Sequence, residues 1–147
     1  MKLKKEKDYS LFNAAAAAGI TADQMKTCLA SQQGEEDADM LYKRMAKKVK
    51  DQADREAFER LASDEKRHSD VFFKYTGQVL KPNPTKAIVV PIMYKLLGRD
   101  KTYHIIAKGE YKAADKYIKV VKDFPEVEEV MNDEIIHGDA VLTLLKK

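Results

Sequence analysis

The chain has 147 residues, the length of one compact domain, and its net charge of +3 is too small to indicate a nucleic-acid partner. Hydrophobic residues make up 44% of it and charged residues 35%, a mixture typical of helices with one buried and one hydrated face. The single cysteine, Cys28, excludes an internal disulfide and any metal site built from paired cysteines, and it fits a reducing cytoplasm.

Residues 1–20 are interpreted as a tail with a short helix, and residues 21–147 as one folded domain. The basic start, residues 1–5, is expected to be solvated, with binding to a membrane surface or to nucleic acid as the less favoured interpretation. The alanine-rich stretch from Ser10 to Ala18 favours a short helix that ends at Gly19. No secretory signal is visible, so a cytoplasmic location is expected.

Four long helices are predicted after this tail. A capping-box phrase at residues 21–24 begins the first, a polar turn at residues 51–54 ends it, and Gly77 ends the second. Residues 81–84, Lys-Pro-Asn-Pro, form a rigid connector, and Pro125 is expected in the first turn of the last helix. The predicted helices, including one short helix after the connector, cover about residues 21–50, 55–75, 86–97, 101–122 and 125–145.

The short helix at residues 86–97 is the most apolar part of the chain. It contains Pro91 and is far shorter than the ~20 residues that a membrane-spanning helix needs. We interpret it as a crossover helix that covers the bundle or forms a dimer contact. Docking on a membrane is the less favoured interpretation.

The phrase Asp-Glu-x-x-His occurs twice, at residues 64–68 and 133–137. Because residues three apart on a helix share a face, each phrase can offer one carboxylate and one imidazole to the same metal ion. The chain has only three histidines, and two of them fall in this phrase. The third, His104, has no glutamate three residues before it and is predicted not to bind metal.

The other two long helices each carry one glutamate in an otherwise apolar stripe, Glu35 and Glu110. Glu35 is preferred to Glu36 because the face of Glu36 also carries lysines. Residue 50 lies midway between Glu35 and Glu65, and residue 122 midway between Glu110 and Glu134, so each antiparallel hairpin places its two glutamates at one level. A buried unpaired carboxylate costs several kcal/mol, so four of them need a shared cation.

These observations predict a site for two metal ions in the centre of the bundle. Oxygen and nitrogen ligands without thiolate favour iron or manganese over soft metals, and zinc stays open as an alternative. A metal-free bundle held by salt bridges would need Lys or Arg in the stripes, and the stripes contain none. The predicted metal ligands are Glu35, Glu65, His68, Glu110, Glu134 and His137.

Four further residues are predicted to support these ligands. Asp64 and Asp133 each lie four residues before a histidine, and each is expected to accept the outer ring N–H of a metal-binding imidazole. Whether each aspartate serves its own helix or the neighbouring one stays open. Tyr42 and Tyr117 follow Glu35 and Glu110 at the same spacing of seven residues, which indicates either simple core residues or a supporting or radical-relay role at the site.

The phrases Gln33-Gly34-Glu35, Glu65-Lys66-Arg67-His68, Lys108-Gly109-Glu110 and Asp133-Glu134-Ile135-Ile136-His137 carry a resemblance to a known family. Over about residues 21–145 the chain resembles the ferritin-like di-iron superfamily, and most of all its rubrerythrin-type (erythrin) domains. The resemblance implies an all-α, ferritin-like four-helix bundle with a crossover segment that contains a short extra helix.

The same resemblance implies a di-iron protein that reacts with oxygen or hydrogen peroxide, as a ferroxidase or peroxidase in iron and oxidative-stress handling. The alternative is a non-catalytic iron-binding module for sensing, buffering or delivery. Rubrerythrins carry a four-cysteine iron module and an extra glutamate one turn after the third-helix ligand, whereas this chain has one cysteine, and Ala113 at that position. Ferrous iron, a separate electron-donor protein and a homodimer or higher homo-oligomer are therefore the expected partners.

Overall fold

The computed structural model describes residues 12–147, which contain six α-helices and no strand. Four long helices form two hairpins, α2 with α3 and α5 with α6, and α4 lies in the crossover against α2 and α5. This architecture confirms the predicted all-α, ferritin-like bundle. Residues 10 and 11 of the predicted first helix lie outside the described residues. The helices are α1 Ala14–Ala18, α2 Ala22–Lys48, α3 Gln52–Thr76, α4 Thr85–Leu97, α5 Arg99–Asp123 and α6 Val127–Leu144.

The ends of α2 and α3 follow from local hydrogen bonds. The Thr21 hydroxyl accepts the N–H of Gln24, and the Gln24 side chain accepts the N–H of Thr21, which is the predicted capping box. Asp51 lies in the connection and caps α3 by accepting the N–H of Asp54 at 3.1 Å, so the predicted turn extends too far: residues 52–54 are already helical. Gly77 ends α3 with φ of 58°, as predicted.

The second hairpin differs from the prediction at its connection. Helix α6 begins at Val127, so the expectation that Pro125 lies in its first turn is wrong. The backbone N–H groups of Val127 and Glu128 donate to the carbonyl groups of Phe124 and Pro125, and this tight turn precedes the helix. Among the described residues, no helix combines the length and apolar character needed to cross a membrane.

The apolar core is divided into two parts, one at each end of the bundle. One part contains the buried side chains of Tyr42, Met45 and Phe58, and the other contains those of Cys28 and Phe72. Along each long helix the predicted glutamate lies between these two parts. The fold therefore places a buried acidic layer between two apolar layers, where water cannot screen its charge.

A buried ion pair ties the two hairpins together near the first core part. Asp54 on α3 is 1% exposed and accepts two hydrogen bonds from the Arg99 guanidinium on α5, at 2.8 and 2.9 Å. The Tyr103 hydroxyl donates to the same carboxylate at 2.5 Å. Burial alone would raise the pKa of Asp54, but the hydrogen bonds from Arg99 and Tyr103 hold it below its ordinary value.

Candidate metal centre

The structure brings all six predicted metal ligands together in the centre of the bundle. None is more than 5% exposed, although each is a charged or titratable residue. Their ligand atoms form two groups of four, and within each group all atoms lie within 4.8 Å of one another. Because Glu65 and Glu134 belong to both groups, the groups are adjacent. The first group is Glu35, Glu65, His68 and Glu134, and the second is Glu65, Glu110, Glu134 and His137.

The atoms at the middle of this cluster are close together but do not hydrogen-bond. The Nδ1 atom of His68 lies 3.0 Å from Oε1 of Glu134, and that of His137 lies 2.8 Å from Oε1 of Glu65, yet all four atoms lack a hydrogen-bond partner. Over the described residues, nine buried side-chain atoms have none, and seven of the nine belong to this cluster. Short distances without hydrogen bonds are the arrangement of ligands that converge on a common point, which a cation would occupy.

The carboxylates and imidazoles of the cluster shift one another's pKa values. Burial and the charge of Glu35 raise the pKa of Glu134 to about 10, and the same causes raise that of Glu65. Burial alone would lower the pKa values of His68 and His137, but the surrounding carboxylates raise both to about 11. These raised pKa values favour the protonated form of both imidazoles at neutral pH, so the stripes carry positive charge although they contain no Lys or Arg. A metal would have to displace these protons to bind.

The imidazoles are oriented by hydrogen bonds on their outer side. Nε2 of His68 lies 2.9 Å from Asp133, and Nε2 of His137 lies 3.0 Å from Asp64. The hydrogen bonds predicted for the two aspartates are present, and the open question is answered: each aspartate serves the histidine of the other hairpin. With Nε2 engaged outside, Nδ1 of each ring faces the cluster.

The two tyrosines also connect the hairpins. The Tyr42 hydroxyl on α2 donates to Glu110 on α5, and the Tyr117 hydroxyl on α5 donates to Glu35 on α2. Both rings are buried and pack parallel to a phenylalanine, with ring centroids 5.8 and 5.6 Å apart. Each tyrosine is thus a core residue and also a hydrogen-bond partner of a predicted ligand. Burial and the charge of Glu35 raise the pKa of Tyr117, so this hydroxyl keeps its proton.

Arg67 was not among the predicted site residues. Its guanidinium donates to Asp64 at 3.0 Å and to Asp133 at 3.2 Å, so one side chain joins the two aspartates that orient the imidazoles. Its position three residues after Asp64 was a signal for the first of these contacts. The second contact could not be read, because the matching position in the second phrase is Ile136.

Glu36 is buried, so the expectation that its helix face is hydrated is wrong. It is only 7% exposed rather than hydrated, and it accepts hydrogen bonds from Ser69 at 2.5 Å and from Lys66 at 3.1 Å. Both partners lie on α3, away from the cluster. Glu35 is therefore the residue that faces the common centre, but the reason is the direction of the α2–α3 contact rather than exposure of the Glu36 face. His104 is exposed and lies outside the cluster.

A groove between α2 and α5 leads to the cluster from the side opposite the aspartates. Its volume is about 580 Å³, and its floor includes Glu35 and Glu110. The residues directly before these glutamates, Gly34 and Gly109, also line it. Ala113, at the position where rubrerythrins carry an extra glutamate, lies in the wall and offers no ligand atom.

The fold and the cluster together define a class of protein. A bundle in which each of four helices buries one glutamate at a common level, with a histidine three residues later on two of them, is the ferritin-like arrangement. The family model for rubrerythrin matches residues 29–144, and the chain belongs to the rubrerythrin family. That family typically binds iron. No curated protein and no solved structure matches the chain.

Proposed function

We propose that this chain is a non-haem di-iron protein that reacts with oxygen or hydrogen peroxide, as a ferroxidase or a peroxidase. One observation carries the proposal: seven buried ligand atoms without hydrogen-bond partners converge in two adjacent groups of four residues. The rubrerythrin membership supports iron as the metal. Hard oxygen and nitrogen donors suit iron, with manganese and zinc as the alternatives that the test must separate.

Each group of four would hold one iron. Glu65 and Glu134 belong to both groups and would help to hold both ions, whereas Glu35 and Glu110 each belong to one group. Four carboxylates cancel the charge of two divalent cations, which removes the cost of burying them. Cys28 would take no part, because it is fully buried in the apolar core and burial raises the pKa of its thiol to about 11.

The bound iron pair would supply the electrons for reduction of oxygen or peroxide. The protein residues have other tasks. Asp64 and Asp133 hold the imidazoles with Nδ1 toward the centre, and the tyrosine hydroxyls donate to Glu35 and Glu110 and hold these carboxylates in place. The two apolar layers exclude bulk water, so the reactants would enter through the groove between α2 and α5.

The partners belong to the same proposal. Further turnover as a peroxidase needs a reductant, which we propose is a separate electron-donor protein in the cytoplasm. We also propose a homo-oligomer, because α4 exposes large apolar side chains in succession along one face, among them Ile88, Ile92 and Leu96.

An anomalous X-ray scan across the iron, manganese and zinc edges tests the metal and its ligands together. We expect two iron ions, and we expect the double variant Glu65→Ala/Glu134→Ala to lose both. Glu36→Ala is the matched control, because Glu36 is a buried glutamate that faces away from the cluster. Two fully occupied metal positions in the double variant would show that the site is elsewhere.

Stopped-flow mixing of the ferrous protein with peroxide tests the reaction. Fast oxidation that repeats with added ferrous iron or reductant is the expected result. A single slow oxidation with all iron retained would contradict it and would support the alternative of an iron-binding module for sensing, buffering or delivery.

A further inference from the structure

The groove between α2 and α5 is much larger than the proposed small oxidants require. Its volume is about 580 Å³. Sites for small organic molecules span about 300–1,000 Å³, whereas hydrogen peroxide needs about the space of two water molecules, ~60 Å³. The groove is therefore about ten times larger than a peroxide path would be. Its size fits a small organic ligand.

Two glycines create much of this space at the floor. Gly34 and Gly109 lie in helix interiors, where glycine is unfavourable relative to alanine, and neither has a positive φ. A Cβ atom at either position would meet no atom within 4 Å. The local backbone therefore gives no reason for glycine. What the two glycines provide is open space next to Glu35 and Glu110, on the groove side of each helix.

The chemistry of the groove changes from its floor to its rim. Glu35, Glu65, Glu110 and Glu134 line the floor, each nine-tenths or more buried and each with an oxygen that has no hydrogen-bond partner. Apolar side chains predominate in the walls, and the lining contains no acidic residue besides these four. Three exposed lysines also line the groove and give its rim a positive charge: Lys86, Lys112 and Lys116.

On the basis of the proposed function, we propose that the groove binds an organic hydroperoxide that has an apolar chain and an acidic head group. The hydroperoxide group lies at the glutamate floor, the chain lies along the apolar walls, and the head group pairs with the lysines of the rim. Reduction breaks the O–O bond: two ferrous ions give one electron each, two protons are taken up, and the products are an alcohol, water and two ferric ions. Gly34 and Gly109 determine which chains can reach the floor.

Binding to the metal-free protein tests the groove without any turnover. Decanoic acid is the probe, titrated by calorimetry, and we expect saturable binding of one molecule per chain. Gly34→Leu and Gly109→Leu should weaken it about tenfold or more, with a smaller loss for Gly34→Ala. Arg44→Leu and Lys119→Leu are matched controls, because they place leucine on exposed positions of the same two helices outside the groove. Equal binding by the groove and control variants would overturn the proposal.

Charge reversal at the rim of the groove tests where the acidic head group binds. Lys112→Glu/Lys116→Glu should weaken binding of decanoic acid and leave binding of decanol unchanged. Equal loss for both probes would overturn the assignment of the rim. Light scattering on the same samples measures the number of chains per particle; if decanoic acid converts an oligomer to the monomer, a second copy of the chain occupies the groove and the proposal is overturned.

Turnover separates this inference from the proposed function. In the iron-loaded Gly34→Leu variant, the rate of ferrous-iron oxidation by a fatty-acid hydroperoxide, divided by the rate with hydrogen peroxide, should fall about tenfold, because leucine obstructs a long chain more than it obstructs a small peroxide. If hydrogen peroxide reacts and decanoic acid does not bind the unaltered protein, only this inference fails. If the protein binds no iron, the proposed function fails, and the binding result for decanoic acid still stands by itself.

Discussion

The two sides of the glutamate–histidine cluster are built differently. On the side of α3 and α6, the outer nitrogen of each imidazole is paired with an aspartate, and Arg67 joins both aspartates. On the side of α2 and α5, small residues leave a groove that reaches the glutamates. The difference teaches that one pair of helices fixes the orientation of the imidazoles, while the other pair leaves an open space beside the glutamates. The following predictions test this division.

Metal binding should produce the largest change in stability, because the predicted ligands of both sides take part in it. At a free metal concentration of about 1,000 times Kd, ferrous iron under anaerobic conditions should stabilise the protein by about 4 kcal/mol. Thermal unfolding with and without a chelator measures this. Since Glu134, with a pKa of about 10, and His68, with a pKa of about 11, must lose protons, affinity should fall as the pH is lowered. An unchanged unfolding temperature at saturating metal would contradict a metal site in this cluster.

Removal of the Asp54 carboxylate should destabilise the docking of the two hairpins, on which both sides depend. We expect Asp54→Ala to cost about 2–3 kcal/mol, less than a fully buried pair because the Arg99 side chain is 35% exposed. The folded-state pKa of Asp54 is lowered, so its contribution is complete above the unfolded-state value and is lost as the pH falls through the folded-state value. Urea unfolding between pH 2 and 7 measures this, with the exposed Asp100 replaced by Ala as the control.

Asp64 and Asp133, on the side of α3 and α6, should affect metal affinity more than stability. Asp64→Ala and Asp133→Ala should each weaken metal binding about 10–100-fold, because the imidazole loses the partner that fixes its orientation. Arg67→Ala should have a smaller effect, since its guanidinium is half exposed and contacts the metal ligands only through the aspartates. Competition with a chelator measures the affinity. Asp139→Ala, an exposed carboxylate that pairs with Tyr111, should leave it unchanged.

Replacement of Gly34 and Gly109, on the side of α2 and α5, should give the smallest change in stability, and this change should be a gain rather than a loss. Gly34→Ala and Gly109→Ala should each stabilise the metal-free protein by about 0.5–1 kcal/mol, because alanine suits a helix better and its Cβ meets nothing. Gly138→Ala is the control that should lack this gain, since its Cβ would lie 2.6 Å from the Tyr111 ring. Destabilisation by both groove variants would show that the space next to Glu35 and Glu110 is needed for folding rather than for a ligand.

The sequence predicted the fold and the inward face of each long helix because these depend on local periodicity. The spacing of Glu65 and His68 places both side chains on one helical face, and the hairpin turn near residue 50 places Glu35 opposite Glu65. The helix ends were less certain. The capping box at Thr21 is present as predicted, but residues 52–54, predicted as a turn, already belong to α3 because Asp51 caps this helix.

The amino-acid sequence by itself determined that four glutamates and two histidines lie at one level inside a helical bundle, since helical repeat and turn position suffice for that. Only the tertiary structure decided which partners these residues take. Asp64 pairs with His137 rather than with His68, and Arg67 reaches Asp133 across the bundle, because these contacts depend on the angle and distance between hairpins. The groove between α2 and α5 has the same origin: it is a separation between helices that no single helix encodes.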